Sequence, residues 1–454
     1  MEDKEALMNF EAVKNSLIRE AKLAGLEEYE IYFMESGGTS AETLKGEISS
    51  FSSEVSGGIS FRCIVNGKMG SAATELLTDN EMKALVERAI ENAKNIESDD
   101  KAVIFGGSES YAEPKLPEFE EKDTATLKEI ALDLHKKTYA ESEYVVDGTM
   151  AFVMQNSTKI VLINSNGLEL HGEVGVAGAG VEAVVSKDGE NQSAFSLEEG
   201  FDSQTMELIP EHAVEDALAK VGACELESGK YDVILNGKRM KDLLSTFSSV
   251  FSGRSANLGL SLLKGKEGEK IASECVTLVD DPLYEGSAMQ TAFDGEGVAT
   301  YTKNVIENGV LKTLLYDIAS ADKVGVESTG NGQRGSYASP VSVAPYHFYI
   351  APGSMSDDEL LASLGDGIYV TELQGLHAGA NAVTGDFSIQ SAGFRVRNGK
   401  KCEAVKSFTI AGNFFELIKS IESLASDVKF GFPSGVTVFG SPDTLIRNMS
   451  VAGK

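Results

Sequence analysis

Residues 372–413 read ELQGLHAGANAVTGDFSIQSAGFRVRNGKKCEAVKSFTIAGN, the densest run of glycines and turn signals around short apolar segments in the chain. Gly375, Gly379, Gly385 and Gly393 stand where a backbone must bend or approach another backbone closely, which the lack of a Cβ permits, and the stretch is expected to wall a pocket. Phe394 and Val396 alternate with Arg395 and Arg397. Asn398-Gly399 then has the chemistry of a two-residue turn, and Ala404 to Ile410 returns as the partner strand. The spacing predicts an antiparallel hairpin.

Outward from this stretch, the C-terminal half reads as strands with few helices. A strand is predicted at Tyr231 to Leu235, followed by a helix carrying Met240, Leu243, Leu244 and Phe247. Further strands are expected at 276–279, 297–301, around Val305, and at 310–316, 341–350 and 368–373, with a helix over 356–363 opened by Ser356 and two acids. The N-terminal half mixes both periods. Phe10, Val13, Leu17, Ala21 and Ala24 mark an opening helix ended by Gly25, and Thr78 with Glu81 forms a capping box before a second helix. Strands are read at 29–34 and 59–65, and the segment 97–122 as a surface connection. A third helix carries Leu127, Ile130 and Leu134. From Tyr144 to Phe195 the pattern is of long twisted hairpins, after which Pro210 is read as opening a fourth helix. Glu225 to Lys230 reads as a linker. The fold class is α+β in two domains: residues 1–222, a mixed α/β layer domain, and residues 223–454, a domain rich in antiparallel sheet.

Composition narrows the function. With 40 Lys and Arg against 70 Asp and Glu, the formal charge of −30 repels phosphate backbones, so nucleic acid is not an expected partner. No apolar run approaches the length of a membrane span, and the first residues, MEDKEALMNF, are acidic rather than a basic targeting segment. A soluble, cytoplasmic protein is expected. Four cysteines at 63, 224, 275 and 402 show no paired spacing and are read as free thiols.

Several blocks carry a family resemblance. Thr384-Gly385-Asp386-Phe387-Ser388, Ala392-Gly393-Phe394, Asn398-Gly399-Lys400 and Thr409 to Asn413 resemble the C-terminal signature of the TldD/PmbA family, on its PmbA (TldE) side. Phe293 to Gly297 (FDGEG), Ile306 to Leu311 (IENGVL), Ser328-Thr329-Gly330 and Met449 to Gly453 extend the likeness in the family's order. The N-terminal half resembles the family more loosely, around Gly57 to Ala73. An older family name alludes to modulation of DNA gyrase, which the acidic composition does not support as direct nucleic-acid binding.

The resemblance implies a metalloprotease complex acting on unfolded peptides, leader peptides or antitoxins. In that complex a TldD-type subunit carries HExxxH on the helix after the domain's first strand: the histidines hold zinc and the glutamate is the general base. Aligned on Leu243-Leu244, this chain offers Ser245-Thr246-Phe247-Ser248-Ser249-Val250 instead. The nearest two of its five histidines, His347 and His377, are 30 residues apart, and the C-terminal region in which catalytic members keep a cysteine ligand, 425–441, has none. The chain therefore resembles the non-catalytic subunit, with no cofactor or metal ligand of its own and zinc expected in a TldD-like partner. An isolated homodimer is an alternative assembly.

Candidate substrate-binding residues are few. Asp386 and Ser388 either cap a turn or bind a peptide main chain, with the turn favoured. Arg334 pairs either with a substrate carboxylate or with a surface acid. His377, Gly379 and Gly385 complete the set, in a stretch expected to pair with an extended peptide by strand addition. Serines 245, 248, 249 and 252 lack a histidine nearby in sequence and are read as helix-surface serines. Two other functions compete: an autonomous metallopeptidase with an atypical site, and a peptide-binding protein without proteolytic activity.

Overall fold

The computed structural model describes residues 9–98 and 100–454. Most of the acidic N-terminal segment, residues 1–8, lies outside it. The fold is α+β, with two large sheets whose residues do not interleave along the chain.

The first sheet consists of β1 (Tyr29–Leu44), β2 (Glu47–Val65), β3 (Lys68–Thr74), β4 (Met150–Asn164), β5 (Glu169–Lys187) and β6 (Glu190–Glu199), antiparallel throughout in the order β3-β2-β1-β4-β5-β6. Four helices cover one face: α1 (Phe10–Leu23), α2 (Asp79–Asn95), α3 (Thr124–Glu141) and α4 (Ser203–Ala219). Because side chains alternate along a strand, the odd-numbered positions of β1 and β2 point to the helices. Ile31, Ile59, Phe61 and Cys63 meet Val13, Leu17, Met82 and Leu85 of α1 and α2, while Ala41, Val153, Ala179 and Val181 meet Leu127, Leu134, Ile209 and Ala213 of α3 and α4.

The second sheet is built from β7 (Gly229–Leu235), β8 (Leu278–Asp280), β9 (Lys303–Glu307), β10 (Val310–Leu311), β13 (His347–Ile350), β14 (Gly367–Gln374), β15 (Asp386–Arg397), β16 (Lys400–Asn413), β17 (Ile421–Phe430) and β18 (Val438–Ala452); a separate two-stranded ribbon joins β11 (Gly332–Gln333) to β12 (Ser342–Val343). β18 pairs with β13, β16, β17 and β7, and its bond to β7 closes the ring β18-β16-β15-β14-β7. Within the ring every strand has a neighbour on each side, while β10 and β17 remain at the ends of the sheet. The helices of this half are α5 (Gly237–Phe247), α6 (Gly253–Asn257), α7 (Ile318–Asp322), α8 (Asp357–Leu364), α9 (Leu376–Gly379) and α10 (Phe414–Lys419). α5 drives Met240, Leu243, Leu244 and Phe247 into the core, where Phe247 stacks on Phe414.

The even-numbered face of the first sheet meets the second half of the chain, and it is shaped by missing side chains. Tyr337 lies over Gly58, Phe293 over Gly172 and Phe432 over Gly178; a Cβ would stand 2.6 Å from Tyr337 Cε2 and 3.3 Å from Phe293 Cζ, and at Gly178 under 3.0 Å from the Phe432 ring. Burying a ring such as Phe293 contributes on the order of 1.5–3 kcal/mol, and the glycine beneath it lets the ring approach the strand closely.

Several sequence expectations need correction. The fourth helix begins at Ser203, because the Asp202 carboxylate accepts from the N–H groups of Gln204 and Thr205, and Pro210 lies inside it. Residues 297–301 are not a strand: Asp294 Oδ1 accepts from Glu296 N and Val298 N and holds the chain in a turn, so the strand starts at Lys303. In 310–316 only Val310 and Leu311 pair as strand, since Leu315 N bonds to Phe251 O outside the sheet. Nor is Glu225 to Lys230 a loose linker, for Leu226 is buried and Gly229 and Lys230 already pair with Val451 and Ser450 as the start of β7. Within 372–413 the part of β15 from Gln390 to Val396 lies between β14 and β16 and is not available for strand addition.

Placing a methyl group at Gly178 must displace the Phe432 ring. We predict that Gly178→Ala costs about 1–3 kcal/mol in denaturant unfolding. In a Phe432→Ala background the same change should cost less, giving a coupling of about 0.5 kcal/mol or more; strictly additive losses would show that the ring does not rest there.

Candidate functional site

Between the seats of Phe293 and Phe432 the two halves of the chain do not touch, leaving a cleft of about 260 Å³. Strand register explains its lining. Ser56, Ser36, Thr158 and Val174 lie side by side across β2, β1, β4 and β5, and Glu54, Gly38, Asn156 and Val176 form the next row. Met289, Phe432, Pro433 and Gly435 close the opposite side. Ser36 Oγ and Thr158 Oγ1 are 2.9 Å apart, and a Cβ on Gly38 would stand within 3.0 Å of Asn156 Oδ1, so a side chain at that position would crowd the floor. The cleft thus offers hydroxyls, an amide, an apolar wall and one carboxylate.

Beyond the Phe293 seat the same face becomes charged. Glu30 and Arg62 are directly opposite each other on β1 and β2, and the Glu30 carboxylate accepts from Arg62 Nη2 at 2.8 Å and from Arg334 Nη2. The Arg334 guanidinium also lies 4.3 Å from the centre of the Tyr32 ring. Glu296 stands 4.0 Å from Arg62 Nη1 and accepts from Ile318 N at 2.8 Å. Asp294 accepts three backbone N–H groups, from Glu296, Val298 and Gly332. All five charged groups are buried or nearly so, three acids against two guanidiniums. Burial and then repulsion from Glu296 push Asp294 up to about 7. Burial likewise raises Glu296, against the pull of Arg62. The pair therefore binds a proton more readily than free carboxyls do, although the three N–H donors on Asp294 and the Arg62 guanidinium near Glu296 favour the charged forms.

The sequence candidates fall elsewhere. Arg334 is in this buried cluster, paired with a buried acid rather than a surface one. His377 is exposed on the four-residue α9. Gly379 passes so close to Ser388 O that a Cβ would collide, and Gly385 has φ +82° with Phe415 beside it. Asp386 and Ser388 point outward from β15, and Asp386 Oδ1 accepts from Asn413 Nδ2 at 2.9 Å, a turn-fixing contact that lowers its pKa. None of the six lines the cleft.

Sequence spacing also hid a serine–histidine contact. Ser287 Oγ and His347 Nε2, 60 residues apart in the chain, are 2.7 Å apart. Burial lowers the His347 pKa and favours the neutral ring. Ser287 Oγ additionally accepts from Met289 N, and among the described residues no side-chain acceptor reaches His347 Nδ1, so the pair is not a triad. His135 is structural: Thr43 Oγ1 is 2.9 Å from Nδ1, and Nε2 accepts from Gly46 N.

The α5 segment does not fit a metal. Phe247 is fully buried in the core, Thr246 Oγ1 donates to Asp242 O and Ser248 Oγ to Ser245 O. Among the described residues no group of three or more His, Cys, Asp or Glu is arranged to hold an ion, and no helix is long and apolar enough to cross a membrane.

The charged cluster has a pH signature. Carboxyls raised in the folded state bind protons more tightly there than in the unfolded chain, so their contribution is fully present below about pH 4 and is lost as pH rises through about 7. We expect Glu296→Gln, which fixes the neutral form, to unfold with less loss of stability between about pH 5 and about pH 8 than the unaltered chain. Identical pH slopes would place the proton elsewhere.

Comparison with known proteins follows this geometry along the whole chain. The PmbA/TldA metallopeptidase C-terminal domain model matches residues 228–453, domain 1 matches 29–93 and the central domain 117–221. An uncharacterized protein of Methanocaldococcus jannaschii is 31% identical over 404 residues, covering 86% of this chain and 90% of the relative. A crystal structure from Thermotoga maritima described as a modulator of a DNA gyrase superposes with TM-score 0.88 at 30% identity, covering 98% of this chain and all of that one. TldE from Thermococcus kodakarensis gives TM-score 0.82 at 26% identity, over 97% of this chain and all of its own. The chain belongs to the PmbA/TldD metallopeptidase family.

Proposed function

We propose that this chain is a TldE/PmbA-like subunit of a cytoplasmic metalloprotease complex that degrades unfolded peptides, leader peptides or antitoxins. In this reading a TldD-like subunit supplies the zinc and the general base, and this chain supplies half of the enclosing cavity. We keep with it the division into residues 1–222 and 223–454.

The observation that carries the reading is α5 and the turn after it. A zinc-activated water needs ligands that lower its pKa and a base that takes its proton. On this helix the equivalent positions hold a core phenylalanine, and a threonine and a serine bonded to the helix's own carbonyls. The likeness to TldE over nearly the full chain supports the same role. A stable pairing of two such chains would bury on the order of 1,600 Å² or more.

Mixed with a TldD-like subunit from the same cell, the chain should form an assembly that cleaves unfolded peptides, while alone it should cleave none; a chelator should abolish the joint activity. Peptidase rates of each chain alone and of the mixture decide the matter. A lone chain as active as the mixture, or a catalytic relative that neither binds it nor changes rate, would refute the proposal.

A further inference from the structure

We propose that the cleft between the two sheets seats an extended peptide segment bearing a lysine or arginine three or four residues from an apolar side chain, with Glu54 selecting the cation. The choice of a peptide as ligand rests on the subunit reading above; the charge and spacing rest on the cleft itself.

The cleft is held open by construction. Phe293 seated on Gly172 and Phe432 seated on Gly178 fix the separation of the two halves on either side of it. A segment lying across its floor cannot pair with the backbone beneath it, because β1 is bonded to β2 and β4, and β4 to β1 and β5. Recognition therefore falls to side chains. Ser36, Ser56, Thr158 and Asn156 can hydrogen-bond main-chain amides without regard to sequence. About 260 Å³ lies just under the roughly 300–1,000 Å³ of small-molecule sites and suits a short run of chain.

Charge and polarity are segregated across that floor. Glu54 is the sole charged residue lining the cleft, and among the described residues it has no ion-pair partner. At the other side stand Val174 and Val176 of β5, with Met289, Phe432 and Pro433 above them. β2 and β5 are three interstrand steps apart, about 14 Å at about 4.8 Å per step, and an extended peptide covers that in about four residues at about 3.3 Å each. A basic side chain near Glu54 then places an apolar side chain against the valines. With net charge −30 the chain also attracts cations at long range, so local selection must be separated from the general field.

The test uses the full chain and fluorescein-labelled unstructured nonapeptides containing one leucine and, four positions on, either one lysine or one glutamate, read by fluorescence anisotropy. The lysine peptide should bind at least tenfold more tightly than the glutamate peptide. Glu54→Lys should reverse that preference. Glu47→Lys, the same charge change at an exposed position outside the cleft, should leave it in place. Thr158→Phe, shown to be folded by its thermal melt, should weaken both peptides. Equal effects of the changes at Glu54 and Glu47, or equal binding of the two peptides, would overturn the proposal. Loss of the lysine preference in Glu54→Lys would support the cleft even if no TldD-like chain pairs with this protein, an outcome that refutes only the subunit reading. An active assembly whose peptide preference ignores Glu54 would refute only the cleft.

Discussion

The bare even-numbered face of the first sheet is the constraint on which the rest depends. Glycines 58, 172 and 178 let three aromatic rings of the second half come down onto the strands, and small residues between them leave the cleft. A Cβ at Gly58 or Gly178 would collide with the ring above it, and one at Gly172 would press on the Phe293 ring. At one end of this face Glu30, Arg62, Arg334, Asp294 and Glu296 replace apolar contact with charge. Such a cluster is a poor source of net stability, because desolvation costs several kcal/mol per ion, but removing one member leaves an unmatched buried charge.

The second constraint is β18. By bonding four other strands it closes the ring behind α5 and commits that helix to core packing. Met240, Leu243, Leu244 and Phe247 of that helix are all buried in the core behind the ring.

Much of this was legible in the sequence. Asn398-Gly399 announced the β15–β16 hairpin, and Ser356 with Glu359 forms the reciprocal cap that opens α8. The cleft was not legible, because its walls come from strands more than 100 residues apart, and polar alternation in Ser36 to Ser56 looks the same whether a face meets water or another sheet. The glycines of 372–413 serve tight turns and strand crossings such as Gly393 against Tyr369 O. Arg334 was recognised as needing an acid, but nothing local to it pointed to Glu30, 304 residues away. Turns made by a buried carboxylate, as at Asp294, carry no periodic signal and were misread as strand.

The central claim is that this chain shapes a shared cavity and leaves the metal to its partner. It is tested most directly by counting zinc in the purified assembly of this chain with a TldD-like subunit. The account predicts one zinc per pair of chains, lost when the partner's motif histidines are replaced; two zincs per pair, one of them retained after that replacement, would contradict it.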